Sequence, residues 1–270
     1  MDFILFLGPT ILICLILTGI HCYLGLHVLR RNIIFVDLAL AQAGAFGLAV
    51  SFLLGWEHDS LKTYLAVLSS ALTASLLFTL ISSYKKAISQ EAFIGIVYAF
   101  FSVLVILFLD KSAHGGEHIK QTLTGHLIWI NWGDILKTFL IYTAVSFCYF
   151  VFHKAIWQSS LNPTGNSKWN LLFYILFSVV IASSVSLVGV LLVFAFLVAP
   201  AFLSGFFFQN FLHRLIFGWI FGLILSFVGL IGSYFLNLPT SAFLVFLFTS
   251  IPILFLVGSS IKKLFSTVYD

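Results

Sequence analysis

Long apolar segments, separated by short polar connections, make up almost the whole chain. A hydrocarbon core about 30 Å thick needs about 20 apolar residues in helical form. Nine segments meet this length, with predicted bounds 3–29, 33–55, 61–83, 92–109, 134–153, 169–186, 188–208, 215–236 and 240–261. Runs this uniform lack the alternation of barrel strands. We therefore predict an all-α integral membrane protein, a polytopic helical bundle forming one domain over residues 1–270.

Two stretches without any Asp, Glu, Lys or Arg, 169–213 and 215–261, are each too long for a single crossing. We expect each of them to cross twice. In the first stretch the only soft break is formed by Ser183, Ser184, Ser186 and Gly189. This pair could be a tight or partly re-entrant turn, so the predicted number of transmembrane helices is eight to nine.

The composition agrees with a membrane location. Hydrophobic residues make up 61% of the chain and charged residues 8%, whereas soluble domains contain about 25% charged residues. The mean hydropathy is +1.14. The cysteines Cys14, Cys22 and Cys148 lie inside apolar runs without CxxC spacing. This pattern implies neither a disulfide framework nor a zinc knuckle.

The basic residues predict how the bundle is oriented, because positively charged loops remain in the cytoplasm. Nine of the 13 Lys and Arg residues fall on alternate connections between the predicted spans. They are Arg30, Arg31, Lys85, Lys86, Lys154, Lys168, Arg214, Lys262 and Lys263. We therefore expect the N-terminus outside and the C-terminus in the cytoplasm. Basic residues scattered in this way form no contiguous face, which argues against a nucleic-acid partner.

The segment IIFVDLALAQAGAFGLAV, residues 33–50, places one carboxylate, Asp37, and one carboxamide, Gln42, among apolar and small residues. Ionisable groups inside membrane segments are costly and usually line a route or a site. Asp37 is therefore either part of a polar pathway or the ion-pair partner of Arg30 or Arg31 at the helix end. The pattern leaves both interpretations open. The alanines and glycines around these two residues favour close helix packing.

A second candidate site is the connection DKSAHGGEHIKQTLTGH, residues 110–126, which we expect outside. His114, Glu117, His118 and His126 offer the nitrogen and oxygen ligands that zinc or manganese takes. A solvated loop whose histidines merely titrate is the alternative, since H-x-x-E-H arises easily by chance. The same letters resemble an inverted zinc-protease motif, but two adjacent glycines argue against the helix that this motif needs.

A third segment is VGVLLVFAFLVAPAFLSGFF, residues 188–207, which is followed by His213 and Arg214. A proline near the end of an apolar helix, then small residues and a basic flank, predicts a helix break at Pro200. The chain would then turn along the membrane surface. An ordinary proline kink is the alternative.

These segments together resemble the permease subunits of zinc and manganese ABC importers, relatives of the cobalamin and iron-siderophore permeases. LALAQAGAFG, 38–47, is similar to a second-helix motif, D-x-L-[SA]-H-A-x-x-x-G, at its hydrophobic and small positions. EAFIGIVYAFFSVLVILFL, 91–109, looks like the family's acid-x-x-I-G-I segment, and GHLIWINWGDIL, 125–136, like its G-x-L-[LI]-x-[IV]-x-x-x-D segment. VGVLLVFAFLVAP, 188–200, is similar to the signature V-G-x-L-L-[VI]-x-[AS]-L-L-[IV]-x-P. No single piece is specific, but four in this order are a strong resemblance.

The resemblance implies a function and a set of partners. Two copies would pair in a bacterial inner membrane, two cytoplasmic ATPase subunits would dock beneath, and an extracytoplasmic metal-binding protein would deliver the ion. A divalent metal ion would be the transported substrate, with no permanently bound cofactor. The chain would not be an enzyme, because it lacks a G-x-x-x-x-G-K-[ST] loop for phosphates. The candidate residues for coupling to the ATPase are Pro200, Ala201, Ser204, Gly205 and Arg214.

The chain departs from the family's pattern at the intramembrane ligands. The family's Asp and His, four residues apart on one helical face, align here with Leu38 and Gln42. Asp37 and Gln42 are five residues apart, which turns them about 140° from each other on a regular helix. They cannot chelate one ion together in that form, so the ion-handling role could have moved to the histidine-rich connection. We expect zinc because this connection is rich in imidazole, with manganese or iron as alternatives.

Three other functions remain open on the sequence alone. One is a permease for a siderophore or another chelated metal. Another is an intramembrane zinc metalloprotease that would use His114 and His118 as ligands and Glu117 as the base. A proton-coupled secondary transporter would instead need intramembrane acids paired across repeats, and Asp37 is the only deeply placed candidate.

Overall fold

Ten α-helices and one short 3-10 turn account for nearly all residues that the structure describes. The computed structural model describes residues 2–57, 60–82, 89–110, 123–125, 127–162 and 167–269. These ranges contain no strand. The helices are α1 (Asp2–Arg31), α2 (Val36–Leu53), α3 (Leu61–Ser82), α4 (Gln90–Leu109), α5 (Trp132–Val151), α6 (His153–Leu161), α7 (Ser167–Val188), α8 (Val190–Phe207), α9 (Phe211–Leu236) and α10 (Thr240–Tyr269). The 3-10 turn, Leu127–Trp129, precedes α5.

Nine of these helices are long and apolar enough to cross a membrane, within the described ranges. This confirms the predicted all-α membrane bundle, and the spans differ from the predicted ones by only a few residues at their ends. The additional helix is α6, which follows α5 after the single residue Phe152. The hydropathy pattern does not predict α6 because its sequence, HKAIWQSSL, alternates polar and apolar residues over little more than two turns.

The long uncharged run near residue 190 divides at one glycine. Gly189 has φ 81° and separates α7 from α8, a backbone conformation that glycine adopts without the steric cost of a Cβ atom. The serines at 183 and 184 remain inside α7, where each hydroxyl donates to the carbonyl oxygen of Val180. The prediction of two crossings here agrees with the two helices, and the break lies at Gly189.

The predicted helix break at Pro200 is wrong. Helix α8 continues through Pro200 and ends at Phe207. A proline inside a helix removes one backbone hydrogen bond, but neighbouring helices can hold such a helix together in a membrane. Pro200 is buried, and α8 packs against α1, α9 and α10.

Short polar side chains stabilise several helix ends. Asn131 and Asp134 form a capping box at the start of α5, in which each side chain accepts a hydrogen bond from the other residue's main-chain N–H. Asn210 accepts from the N–H of Leu212 at the start of α9, at 2.8 Å. Ser89 caps α4 in the same way. These caps satisfy N–H groups that the first turn of a helix leaves without a partner.

The helices form two groups that share a common core. Helix α1 packs against α8 and α9, and α2 packs against α3, α4 and α7. The predicted close packing of α2 is confirmed, because its alanines and glycines are almost all buried. A Cβ atom on Gly47 would lie 2.7 Å from both the carbonyl carbon of Ala66 and the hydroxyl of Ser70. Only a glycine allows α2 and α3 to approach this closely.

The helix ends that carry the basic residues meet on one side of the bundle, which we call the basic end. It contains the last turns of α1 and α3, helix α6, and the first turns of α2, α4, α7 and α9. Contacts between these ends join Arg31 to Asn170 and the main chain of Phe35 to Glu91. The candidate polar residues of the transmembrane core are concentrated at this end.

Candidate functional site

A buried arginine organises the basic end. Arg31, at the end of α1, is 6% exposed. Its Nε donates to Ser160 Oγ at 3.0 Å, its Nη1 to Asn170 Oδ1 at 2.9 Å and its Nη2 to Ser159 Oγ at 2.7 Å. The guanidinium carbon lies 3.9 Å from the centroid of the Phe173 ring. Neutral oxygens and an aromatic face therefore stabilise this cation.

The acceptors of Arg31 tie four helices together. Ser159 donates to Asn170 Oδ1 at 2.7 Å, and Asn170 Nδ2 donates to Ser82 Oγ at 3.5 Å. These residues belong to α6, α7 and α3, respectively. Ser160 also lies 2.9 Å from His27 Nδ1 on α1. The short helix α6 thus positions two serines that hold the arginine in place.

Asp37 lies in the first turn of α2 and does not pair with either neighbouring arginine. Its side chain is 1% exposed, and neither carboxylate oxygen has a hydrogen-bond partner among the described residues. The donors of Arg31 are directed to α6 and α7, and the guanidinium of Arg30 lies over the Trp157 ring, 5.6 Å from its centroid. The interpretation of Asp37 as part of an ion pair at the helix end is therefore wrong.

A second carboxylate, Glu91, binds the main chain just before the start of α2. Glu91 is in the first turn of α4, and its Oε1 accepts a hydrogen bond from the N–H of Phe35 at 3.1 Å. Its Oε2 is buried without a hydrogen-bond partner among the described residues. The Glu91 side chain as a whole is only partly buried, whereas Asp37 is fully buried. The sequence signal that could have found Glu91 is its position as a lone acid bordering an apolar run, like Asp37, at the start of the family-like segment 91–109.

Gln42 is buried on α2, one and a half turns beyond Asp37. Its side chain is 8% exposed, and α2 is an uninterrupted α-helix from Val36 to Leu53. The geometry that separates Asp37 from Gln42 on a regular helix therefore applies. Among the described residues, no group of three His, Cys, Asp or Glu side chains lies together in an arrangement that could hold a metal ion.

The histidine-rich connection lies almost wholly outside the described residues, so the roles of His114, Glu117, His118 and His126 remain predictions. Its described residues 123–125 pack against the backbone at Gly189, where α7 ends and α8 begins. Gly125 has φ 63°, and a Cβ atom on it would lie 2.6 Å from the Cα of Val188. A Cβ atom on Gly189 would lie 2.6 Å from the carbonyl oxygen of Leu123. Two backbones are in direct contact here.

The candidate coupling residues lie together where α8 passes into α9. Arg214 donates from Nε to Ser204 Oγ at 3.2 Å and from Nη2 to the carbonyl oxygen of Ala201 at 2.9 Å. A Cβ atom on Gly205 would lie 3.1 Å from Arg214 Nη2. The three phenylalanines at 206, 207 and 208 follow and are exposed. Hydrogen bonds from Arg214 thus stabilise this corner, and its surface carries exposed aromatic side chains.

A separate polar group lies in the middle of the bundle. His21 Nδ1 donates to the carbonyl oxygen of Leu17 at 2.8 Å, and its Nε2 lies 3.1 Å from Ser184 Oγ. The hydroxyl of Tyr142 donates to the same Ser184 oxygen at 3.0 Å. This arrangement joins α1, α5 and α7, and all three side chains are buried. Contacts of this kind between buried polar side chains on different helices are typical of packing in a membrane.

Comparisons with known proteins place these features in a transporter fold. The profile of the ABC 3 transport family matches residues 4–260. The manganese transport system membrane protein MntC of Listeria innocua is 26% identical over 236 residues, covering 84% of this chain and 81% of that protein. The manganese transport system membrane protein MntD of Bacillus subtilis is 23% identical, covering 84% of this chain and 83% of its own length. In the structure of PsaBC from Streptococcus pneumoniae in complex with Fab, one chain has the same fold, with a TM-score of 0.73 at 19% identity over 91% of this chain and 88% of that chain.

Proposed function

Because the chain belongs to the ABC 3 transport family and is a permease of a metal ABC transporter, we propose that it forms the membrane pathway for a divalent metal ion. The observation that carries this proposal is the buried Asp37, which has no described partner and lies in a transmembrane helix. An intramembrane acid of this kind marks an ion route in transport proteins.

Manganese is the proposed substrate in preference to zinc. Asp37 and Gln42 on α2 and Glu91 at the start of α4 offer oxygen atoms. Manganese accepts carboxylate and carbonyl oxygens readily, whereas zinc favours imidazole and thiolate ligands. The relatives named above are manganese transport proteins. The expectation of zinc rests on the histidine-rich connection. In this proposal that connection would receive the ion on the outer side of the membrane.

The partners follow from the same proposal. A second copy of the chain would complete the pathway, an extracytoplasmic metal-binding protein would deliver the ion, and cytoplasmic ATPase subunits would supply the driving force. The corner between α8 and α9 is the proposed ATPase contact, because it lies at the basic end and carries the exposed Phe206, Phe207 and Phe208. The basic end would face the cytoplasm, with the N-terminus outside and the C-terminus inside.

ATP-dependent ion uptake by the reconstituted transporter tests the proposal. The chain would be purified with its ATPase and delivered into liposomes, and uptake of manganese, zinc and iron would be measured with and without ATP and the binding protein. We expect uptake of manganese that requires both. Preferential uptake of zinc would overturn the metal assignment but retain the permease. The absence of ATP-dependent uptake of any divalent or chelated metal would overturn the proposed function itself.

A further inference from the structure

An open cleft lies where α5 passes into α6, at the basic end of the bundle. Its volume is about 690 Å³, and it is lined by residues 150–155, so we call it the junction cleft. These residues are the last two of the transmembrane helix α5, the connecting residue Phe152 and the first turn of α6. A membrane-spanning helix ends here and a short helix of mixed polarity begins, which places the cleft at the level of the lipid headgroups.

The wall that α5 contributes is apolar and faces outward. Phe150 is 81% exposed. The exposed apolar surface continues along α5 through Phe147 and Leu140 to Leu136, which lie on the same side of the helix at about 100° per residue. From Phe150 to Leu136 the helix rises about 21 Å, more than half of a hydrocarbon core about 30 Å thick. The cleft therefore opens onto a strip long enough to hold acyl chains.

The wall that α6 contributes is basic. His153 and Lys154 lie in the first turn of α6, and both are exposed. The Trp157 ring, one turn further along α6, stacks on His153 with 6.4 Å between ring centroids. The guanidinium of Arg30 lies 5.6 Å from the centroid of the same indole ring. Arg30 therefore adds its charge near the cleft, together with the partial positive charge of the helix N-terminus.

These cations are not neutralised by an acid within the described part of the chain. The ion pair found there joins Lys137 to Asp134 at the opposite end of α5. Basic pockets beside membrane helices on the cytoplasmic side bind acidic lipid headgroups. A soluble anion would use only the basic wall and leave the aromatic wall exposed. A second copy that paired symmetrically through the cleft would bring identical cations together, which is unfavourable.

We propose that the junction cleft binds an anionic phospholipid. His153 and Lys154 contact the phosphate, Arg30 adds to the local positive potential, and the acyl chains lie along the strip from Phe150 to Leu136. The bound lipid stabilises the position of α6. Because α6 supplies the two serines that accept hydrogen bonds from Arg31, the lipid also supports the network around this buried cation.

Native mass spectrometry of the full-length chain in detergent tests this site without any transport step. Phosphatidylglycerol and phosphatidylcholine with the same acyl chains would each be titrated, and the dissociation constants of the bound lipids compared. We expect tighter binding of phosphatidylglycerol. Lys154→Gln should weaken its binding about 5-fold, the effect of one basic residue near an anionic lipid, and leave phosphatidylcholine unchanged. Lys62→Gln removes an exposed lysine at the other end of the bundle and should bind both lipids as the unmodified chain does.

Two further measurements separate the aromatic wall from the basic one. Phe150→Ala should weaken the binding of both lipids alike, because acyl chains are common to them. Added phosphatidylglycerol should raise the melting temperature of the unmodified chain and raise that of Lys154→Gln less, since the lipid holds α6 in place.

Four results would overturn the proposal. Equal affinity of the unmodified chain for the two lipids would remove its electrostatic basis, and a preference for phosphatidylglycerol that persists in Lys154→Gln would place the lipid elsewhere. Competition by glycerol 3-phosphate at the same concentration as the lipid would assign the cleft to a soluble anion. Loss of the dimer in Phe150→Ala with unchanged lipid binding would assign it to an interface between copies of the chain.

Discussion

The guanidinium of Arg214 reaches back from α9 and donates a hydrogen bond to the carbonyl oxygen of Ala201 on α8, 2.9 Å away. Pro200 has no N–H group, so α8 lacks the backbone hydrogen bond to the carbonyl oxygen of Phe196, one turn before Pro200. The same guanidinium binds Ser204. One side chain thus braces the last turns of α8 against the start of α9, at the corner proposed to contact the ATPase.

Replacing Arg214 by alanine should loosen this corner. Two hydrogen bonds to a charged group are lost, each of which contributes about 1.5–3 kcal/mol when well formed. We expect a lower melting temperature in detergent and a reduced stimulation of ATP hydrolysis by the binding protein. Lys168→Ala removes an exposed basic residue at the same end and serves as the control. If the binding protein stimulates ATP hydrolysis equally in Arg214→Ala and in the unmodified protein, the proposed role of this corner is contradicted.

The contact between Gly125 and Gly189 should tolerate no side chain. Both residues have positive φ, which costs a residue with a Cβ atom about 1–3 kcal/mol. The added atom would also meet the backbone of the other segment. Gly125→Ala and Gly189→Ala should each lower the folded yield and the melting temperature. Gly95→Ala is the matched control, since an added Cβ atom there meets nothing within 4 Å. A control that destabilises equally would show that the backbone contact is not the cause.

The network around Arg31 should contribute more stability than a neutral interhelical hydrogen bond. Asn170→Leu removes an acceptor from a buried cation, for which we expect a loss of about 1.5–3 kcal/mol in the free energy of unfolding. Tyr142→Phe removes a neutral hydrogen bond to Ser184, and such bonds average about 0.6 kcal/mol in membranes. Chemical unfolding in mixed micelles measures both. Comparable losses would indicate that the charge of Arg31 adds nothing.

The histidine-rich connection should matter for uptake and not for assembly. His114→Ala combined with His118→Ala removes two imidazole ligands from the predicted outer mouth. We expect reduced metal uptake at low external concentration, with normal insertion and normal association with the ATPase. Metal uptake that is unchanged across concentrations would reject a role for these histidines.

Opposite ends of the bundle should be labelled from opposite sides of the membrane. In a background with the three native cysteines replaced, Lys154→Cys lies at the basic end and Glu57→Cys at the other. A membrane-impermeant maleimide added to intact cells should label Glu57→Cys, and Lys154→Cys should react only after the cells are opened. The reverse pattern would invert the proposed orientation.

Apolar segments were the part of the fold most accessible to prediction, because each span must satisfy the length and hydropathy that the bilayer imposes. Pro200 was misread because local sequence does not show the helices that pack around it. Helix α6 was missed because nine residues with mixed polarity resemble a connection. Asp37 was recognised as a candidate from its apolar surroundings alone, whereas Glu91 was recognised only as part of a family motif.

By itself the sequence determined the class of protein, the order of its spans, their number to within one, and the helix ends at which basic residues collect. These properties are local, since lipid selects for apolar runs and helix ends one segment at a time. Only the tertiary structure decided that Arg31 binds Asn170, 139 residues away, that Asp37 has no arginine partner, and that Glu91 binds the main-chain N–H of Phe35. Such relationships depend on how helices dock, which is set by packing among residues far apart in the chain and cannot be read from any one segment.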